Sequence, residues 1–110
     1  MLIVGAGRSG RSLLRELRET PGERVVGFVD DDPAIRGRRL NGVRVAGNLG
    51  SFEAALDQTR PDVVFVTIPN ASPATLDALV RTCEAREIDC RFVRRELDID
   101  PRVVLGRAQT

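Results

Sequence analysis

The sequence predicts a three-layer α/β domain in which helices cover both faces of a mostly parallel, five-stranded sheet. Short β-branched runs alternate with segments whose apolar residues recur at helical spacing, which is the pattern of β-α-β units. A glycine-rich segment joins the first such run to the first helical pattern, and 110 residues suit one hydrophobic core. Because crossovers between parallel strands are right-handed, the strand order 3-2-1-4-5 is favoured.

The first β-α-β unit begins with Leu2-Ile3-Val4, an apolar run that stops at a glycine, as a strand buried on both faces does. A helix follows, because residues 10, 13, 14 and 17 repeat at the spacing i, i+3, i+4, i+7, and Pro21-Gly22 ends it. The β-branched segment from Arg24 to Val29 predicts the second strand. It breaks into an acidic turn over residues 30–33.

The middle of the chain predicts a short strand and a short helix. The segment from Arg36 to Leu40 is interpreted as a basic connection. Val43 to Val45 lies between glycines and predicts a short edge strand whose arginine faces solvent. The helix begins after Ser51, covers residues 52–59 and stops before a proline.

The last β-α-β unit begins with residues 63–67, the most continuous apolar stretch of the chain, which predicts a central strand. Ser72-Pro73 predicts a helix start, because serine can cap free amides and proline suits the first helical position. The final strand is predicted over Cys90 to Val93. One domain is therefore expected over residues 1–95. Residues 96–110 are expected to be a tail or an element that docks on the core or on a partner.

Composition disfavours several classes of protein. The chain has no His, Lys, Tyr or Trp, and all 17 basic residues are Arg, so proton transfer would rest on carboxylates and two thiols. A net charge of +1 and few aromatic residues disfavour nucleic-acid binding. No apolar run approaches the roughly 20 residues that cross a bilayer, and no secretion signal is evident, which predicts a cytoplasmic segment. Cys83 and Cys90, without histidine, indicate buried apolar positions rather than a metal site.

The segment from Gly5 to Gly10 matches the pattern G-x-G-x-x-G. It follows a predicted strand, opens a predicted helix and precedes Asp30 by about 20 residues, as a dinucleotide-binding Rossmann fingerprint does. Gly5 allows the tight turn out of the strand, Gly7 lets a pyrophosphate lie against bare backbone, and Gly10 permits close packing of helix and strand. The first amides of the helix and its dipole would then hold an anionic diphosphate, with Arg8 and Ser9 in the same turn.

Asp30 is expected to accept hydrogen bonds from the adenosine ribose. Its charge would repel the 2′-phosphate of NADP, so NAD is favoured. Asp31 is a further candidate contact, although the acidic run also suits a turn before proline. Arg36, with two more arginines at 38 and 39, could neutralise a phosphate and reverse the preference, or could simply be a solvated charged loop.

The segment after the fourth strand should form the far wall of the cleft. Thr67, Pro69 and Asn70 leave that strand beside the glycine-rich turn, across the point where the strand order reverses. The threonine and the asparagine could bond a ribose or a diphosphate. Alternatively, the segment is a strand end followed by a helix cap.

Four segments together resemble the Rossmann domain of bacterial polysaccharide-biosynthesis proteins: Ile3 to Gly10, Val26 to Pro33, Gly37 to Val43, and Ile68 to Pro73. That group includes membrane-linked nucleotide-sugar dehydratases and epimerases of the capsule type, and some polyprenyl-phosphate sugar-phosphate transferases. The resemblance covers residues 1–95 and implies a cytosolic domain of a membrane enzyme, with NAD or a related nucleotide in its cleft. In such dehydratases catalysis belongs to a separate domain with its own Tyr and Lys, residues that this chain lacks.

These observations predict an NAD-binding regulatory or structural module of a larger cell-envelope polysaccharide-biosynthesis protein, without catalysis of its own. A homo-oligomer is a further candidate arrangement. One alternative is the cofactor domain of an NAD-dependent sugar oxidoreductase whose catalytic residues lie elsewhere. Another is a CoA-binding or NAD-sensing module for gating or oligomerisation. NADP and CoA stay open as cofactors. Binding is expected to be weak and carried by ADP-like groups, because five strands build only the adenosine half of a Rossmann site.

Overall fold

The computed structural model describes residues 1–68 and 71–93, which form a sheet with helices on both faces. The predicted tail over residues 96–110 lies outside this range. The strands among the described residues are β1 (Leu2–Val4), β2 (Gly27–Val29), β3 (Arg39–Leu40), β4 (Val43–Gly47), β5 (Val63–Val66) and β6 (Asp89–Phe92). The helices are α1 (Arg8–Arg18), α2 (Phe52–Thr59) and α3 (Pro73–Ala85), and short 3-10 turns cover Pro33–Ile35 and Leu49–Ser51.

The strand order is β3-β4-β2-β1-β5-β6. The five strands from β4 to β6 in this order pair in parallel, and they are the five strands that the sequence predicted, in the predicted order. The fold class is therefore confirmed. The reversal of strand order lies between β1 and β5, where a cleft forms in sheets of this kind.

The prediction of five strands with β4 at the edge is wrong, because the described residues contain a sixth strand. β3 lies within the segment predicted as a basic connection and pairs antiparallel with β4. The two are joined by Asn41-Gly42, both with positive φ (53° and 84°), which is the backbone of a two-residue hairpin turn. An Asn-Gly pair between apolar residues is a strong hairpin signal that the sequence interpretation did not use. Arg44 is exposed, as predicted.

The core lies on both faces of β1, whose three side chains are at most 1% exposed. Ile3 faces one side, where it packs with Leu14 of α1 and Phe28 of β2. Leu2 and Val4 face the other side, where α2 and α3 cover them. A strand that is buried on both faces needs an apolar residue at every position, which explains why the run is continuous rather than alternating.

The last β-α-β unit has the helix cap that the sequence predicts. Ser72 accepts a hydrogen bond from the Thr75 amide at 3.1 Å and caps α3, as predicted.

Cys83 of α3 is fully buried, and Cys90 of β6 is half-buried. Burial raises the pKa of the Cys83 thiol to about 12 and also raises the pKa of Cys90. Both thiols therefore stay protonated near neutral pH and pack as apolar groups. In the described part of the chain, none of the helices is long and apolar enough to span a membrane.

Candidate functional site

A cavity of about 290 Å³ lies where the carboxyl ends of β1, β2 and β5 meet the first turn of α1. Three segments line it: the glycine-rich turn, the last residue of β2 with the residues after it, and the residues that follow β5, with one apolar side chain from the turn before α2. Its lining residues are Gly5, Gly7, Arg8, Ser9, Gly10, Val29, Asp30, Asp31, Leu49, Thr67 and Ile68. The structure thus brings together eight of the predicted site residues.

Gly5 and Thr67 make the floor of the cavity. Gly5 has φ +106°, and a Cβ atom there would lie 2.5 Å from Oγ1 of Thr67. The Thr67 hydroxyl is buried and lies 3.0 Å from the carbonyl oxygen of Val4, to which it donates. This bond ties the end of β5 to the end of β1. It favours the interpretation of Thr67 as a strand end over that of a ligand contact.

Gly10 and Gly7 differ in their surroundings. A Cβ atom on Gly10 would lie 1.8 Å from the carbonyl oxygen of Gly5, so the first turn of α1 packs directly on the glycine-rich turn. A Cβ atom on Gly7 would meet nothing within 4 Å. The backbone beside Gly7 is therefore open to a ligand, whereas the missing side chain at Gly10 is needed for the packing.

The N-terminus of α1 carries free donors. The first backbone bond of the helix runs from the Arg11 amide to the carbonyl oxygen of Gly7 at 3.0 Å, so the amides of residues 8–10 precede it. The N-cap is Gly7, which supplies no side-chain acceptor, and the first turn contains no acidic residue. The positive end of the helix dipole is thus left without a counter-charge from the first turn.

Ser9 lies in this turn and is only 4% exposed. Among the described residues, its Oγ atom is buried without a hydrogen-bond partner. A buried hydroxyl in that state costs about 1–3 kcal/mol, and a ligand oxygen would remove the cost. The open backbone at Gly7, the free amides and this hydroxyl together fit a diphosphate.

Asp30 is half-buried and is held by two backbone amides. Its Oδ2 accepts from Ala6 N at 2.7 Å, and its Oδ1 accepts from Asp32 N at 2.8 Å. The carboxylate therefore anchors the glycine-rich turn to the end of β2, a role that the sequence interpretation missed. Each oxygen keeps further acceptor capacity for a ribose hydroxyl.

Asp31 and Asp32 have separate roles. Asp32 accepts from the Ala34 amide at 2.9 Å and so caps the 3-10 turn that begins at Pro33. Asp31 lines the cavity, and its Oδ1 accepts from the Leu49 amide at 2.7 Å. Because residues 31 and 49 are far apart in the chain, no sequence pattern indicated this contact or the place of Leu49 in the cavity wall.

Of the remaining predicted site residues, the structure describes only Arg36, which does not line the cavity. Arg36, Arg38 and Arg39 are exposed and are not among the residues that line it. Arg39 donates instead to the carbonyl oxygen of Gly42 at 3.3 Å. Pro69 and Asn70 lie outside the described residues.

The parallel sheet, the glycine-rich turn beneath a helix N-terminus and the acidic end of β2 define a Rossmann-type nucleotide- or CoA-binding domain. The chain belongs to the CoA-binding domain family, whose model matches residues 1–93. It is also similar to the probable polysaccharide biosynthesis protein EpsC of Bacillus subtilis (strain 168), with 29% identity over 84 residues. That match covers 74% of this chain and 14% of the relative, so the chain spans a small part of the relative's length.

Solved structures share the fold. UDP-D-quinovosamine 4-dehydrogenase from Vibrio fischeri has a TM-score of 0.70 at 21% identity, over 96% of this chain and 83% of that one. RSP, a Rex-family repressor, has a TM-score of 0.68 at 20% identity, over 98% and 56%. RSP in complex with β-NADH has a TM-score of 0.65 at 22% identity, over 98% and 58%. The predicted fold and the predicted resemblance to polysaccharide-biosynthesis proteins are confirmed.

Proposed function

We propose that this domain binds the ADP part of NAD or of a related nucleotide. It serves a larger polysaccharide-biosynthesis protein as a regulatory or structural module in the cytoplasm. The observation that carries the proposal is the Ser9 hydroxyl, which is buried and unpartnered in the open first turn of α1, beside Gly7. Buried polar groups normally have a hydrogen-bond partner, and a bound ligand would supply one to this hydroxyl. A diphosphate supplies the required oxygen at the place where the helix amides also need acceptors.

The acidic end of the cavity determines which ribose the site accepts. Asp30 and Asp31 both line it, and backbone amides hold both carboxylates in place at 2.7–2.8 Å. A phosphate on the ribose would face two negative charges that are fixed in position. The arginines of residues 36–39 do not line the cavity to offset them. An unphosphorylated ribose, as in NAD, ADP and ADP-ribose, is therefore preferred over the phosphorylated riboses of NADP and CoA.

The size of the cavity agrees with recognition of only the ADP part of a dinucleotide. Its volume of about 290 Å³ lies just below the roughly 300–1,000 Å³ of ligand pockets. ADP therefore supplies most of the contacts, and the second half of a dinucleotide extends outside. The chain lacks His, Lys and Tyr, so the proposal assigns no catalytic step to the domain itself.

Calorimetry with a series of nucleotides tests the proposal. ADP, ADP-ribose and NAD should bind with dissociation constants within about threefold of one another, because all three present the same ADP part. NADP and CoA should bind at least about tenfold more weakly than NAD and 3′-dephospho-CoA, respectively. Absence of heat with ADP, ADP-ribose and NAD at millimolar concentrations would overturn the proposal. Tighter binding of CoA than of 3′-dephospho-CoA would overturn the charge argument and favour CoA as the ligand.

Ser9→Ala should separate stability from binding. Removing an unpartnered buried hydroxyl should leave the melting temperature of the free protein unchanged or raise it. Loss of a hydrogen bond to a charged oxygen should lower the affinity for ADP about tenfold. Ser12→Ala, on the same helix but outside the cavity lining, is the control and should leave ADP affinity unchanged. A Ser9→Ala protein that binds ADP as the wild type does would contradict the assigned role.

A further inference from the structure

A second cavity adjoins the first. It is an open groove of about 780 Å³ between the start of α2 and one face of α3. Phe52 and Leu79 are among its lining residues but are only 5% and 4% exposed, whereas Ala54 and Ala78 contribute exposed apolar surface. Its α3 wall consists of Thr75, Ala78 and Thr82, whose spacing puts them on one face of the helix. These side chains are small, so the helices leave space between them.

The groove is continuous with the proposed nucleotide site. Asp31 and Leu49 line both cavities, and the hydrogen bond between them forms part of the shared wall. In the proposed function the diphosphate lies at Ser9 and the ribose at Asp30, and the next residue, Asp31, belongs to the shared wall. A base that continues in this direction would lie at the wall, with its outer edge toward the groove.

The charges of the groove limit what it accepts. Its lining includes two carboxylates, Asp31 and Glu53, together with apolar and hydroxyl-bearing side chains. No arginine is among the described residues that line it. An anionic group is therefore disfavoured, whereas an uncharged and largely apolar group would cover the exposed side chains of Ala54 and Ala78.

We propose that the groove is a second compartment of the nucleotide site and accepts an uncharged, largely apolar group carried on the outer edge of the base. The ligand class is a nucleoside diphosphate that is enlarged at the exocyclic amine of its base. This inference rests on the proposed function, because the diphosphate and ribose positions fix where the base lies.

Calorimetry of the full chain with ADP and N6-benzyl-ADP tests the inference. N6-benzyl-ADP should bind about three- to tenfold more tightly than ADP, because the benzyl group enters the groove. N6-carboxymethyl-ADP, whose arm is anionic, should bind more weakly than ADP. Binding of ADP without binding of N6-benzyl-ADP would overturn this inference alone. Absence of binding by ADP would overturn both this inference and the proposed function.

A variant whose larger side chain fills the groove tests the inference separately from nucleotide binding. Ala78→Phe should lower the affinity for N6-benzyl-ADP about tenfold and leave the affinity for ADP within about twofold. Glu84→Phe places the same side chain at an exposed position of α3 outside the groove and should change neither affinity. Equal losses for both ligands in Ala78→Phe would contradict the inference. The ratio of the two affinities in the wild type tests it without any variant.

Discussion

Replacing Gly10 with alanine should largely unfold the domain. The new Cβ atom would lie 1.8 Å from the carbonyl oxygen of Gly5 and 2.8 Å from its carbonyl carbon, and both are backbone atoms that cannot rotate away. The first turn of α1 would have to move off the glycine-rich turn, which disturbs the packing of Leu13 and Leu14 on the sheet. We expect the free energy of unfolding to fall by about 3 kcal/mol or more, measured by urea denaturation.

Gly7→Ala is the matched control, with the same substitution in the same turn. Its Cβ atom meets nothing within 4 Å, and Gly7 has φ −79°, which alanine adopts without strain. Stability should change by about 1 kcal/mol or less. The affinity for ADP should nevertheless fall about thirtyfold, because the methyl group occupies the proposed diphosphate position. A stable Gly10→Ala protein would contradict the close packing, and full ADP affinity in Gly7→Ala would contradict the diphosphate position.

Asp30→Ala should weaken both the fold and the binding of ADP-ribose. The substitution leaves the amides of Ala6 and Asp32 without their side-chain acceptor. Unfolding free energy should fall by about 1–3 kcal/mol, since both amides lose a charged partner. The affinity for ADP-ribose should fall about ten- to a hundredfold, because the ribose acceptor is lost and the glycine-rich turn is no longer anchored.

Two further variants separate these effects. Asp32→Ala removes a neighbouring carboxylate that caps the next turn but does not line the cavity, so the affinity for ADP-ribose should stay within about twofold. Asp30→Asn removes the charge and should reduce the preference for NAD over NADP. If Asp30→Ala binds ADP-ribose as the wild type does, the ribose does not lie beside this carboxylate.

The agreement between sequence and structure is greatest where the controlling chemistry is local. The continuous apolar run of β1, the serine cap of α3 and the glycines of the first turn each depend on residues within one or two turns of chain. The hairpin of β3 and β4 was missed, although its signal is also local, because the Asn41-Gly42 pair by itself predicts a two-residue turn. The clustering of residues 5–10 with Asp30 also followed from sequence, because parallel strands bring their carboxyl ends to one edge of the sheet.

The sequence alone determined the α/β class, the order of the parallel strands and the glycine-rich turn, because periodicity, turn chemistry and right-handed crossovers leave few arrangements. Only the tertiary structure decided that the Ser9 hydroxyl is unpartnered, that Asp31 contacts Leu49, and that a groove adjoins the cleft. These features depend on how the helices and the loops after β2 and β4 lie relative to one another. Such distances are set by the packing of side chains from distant parts of the chain, which no local pattern encodes.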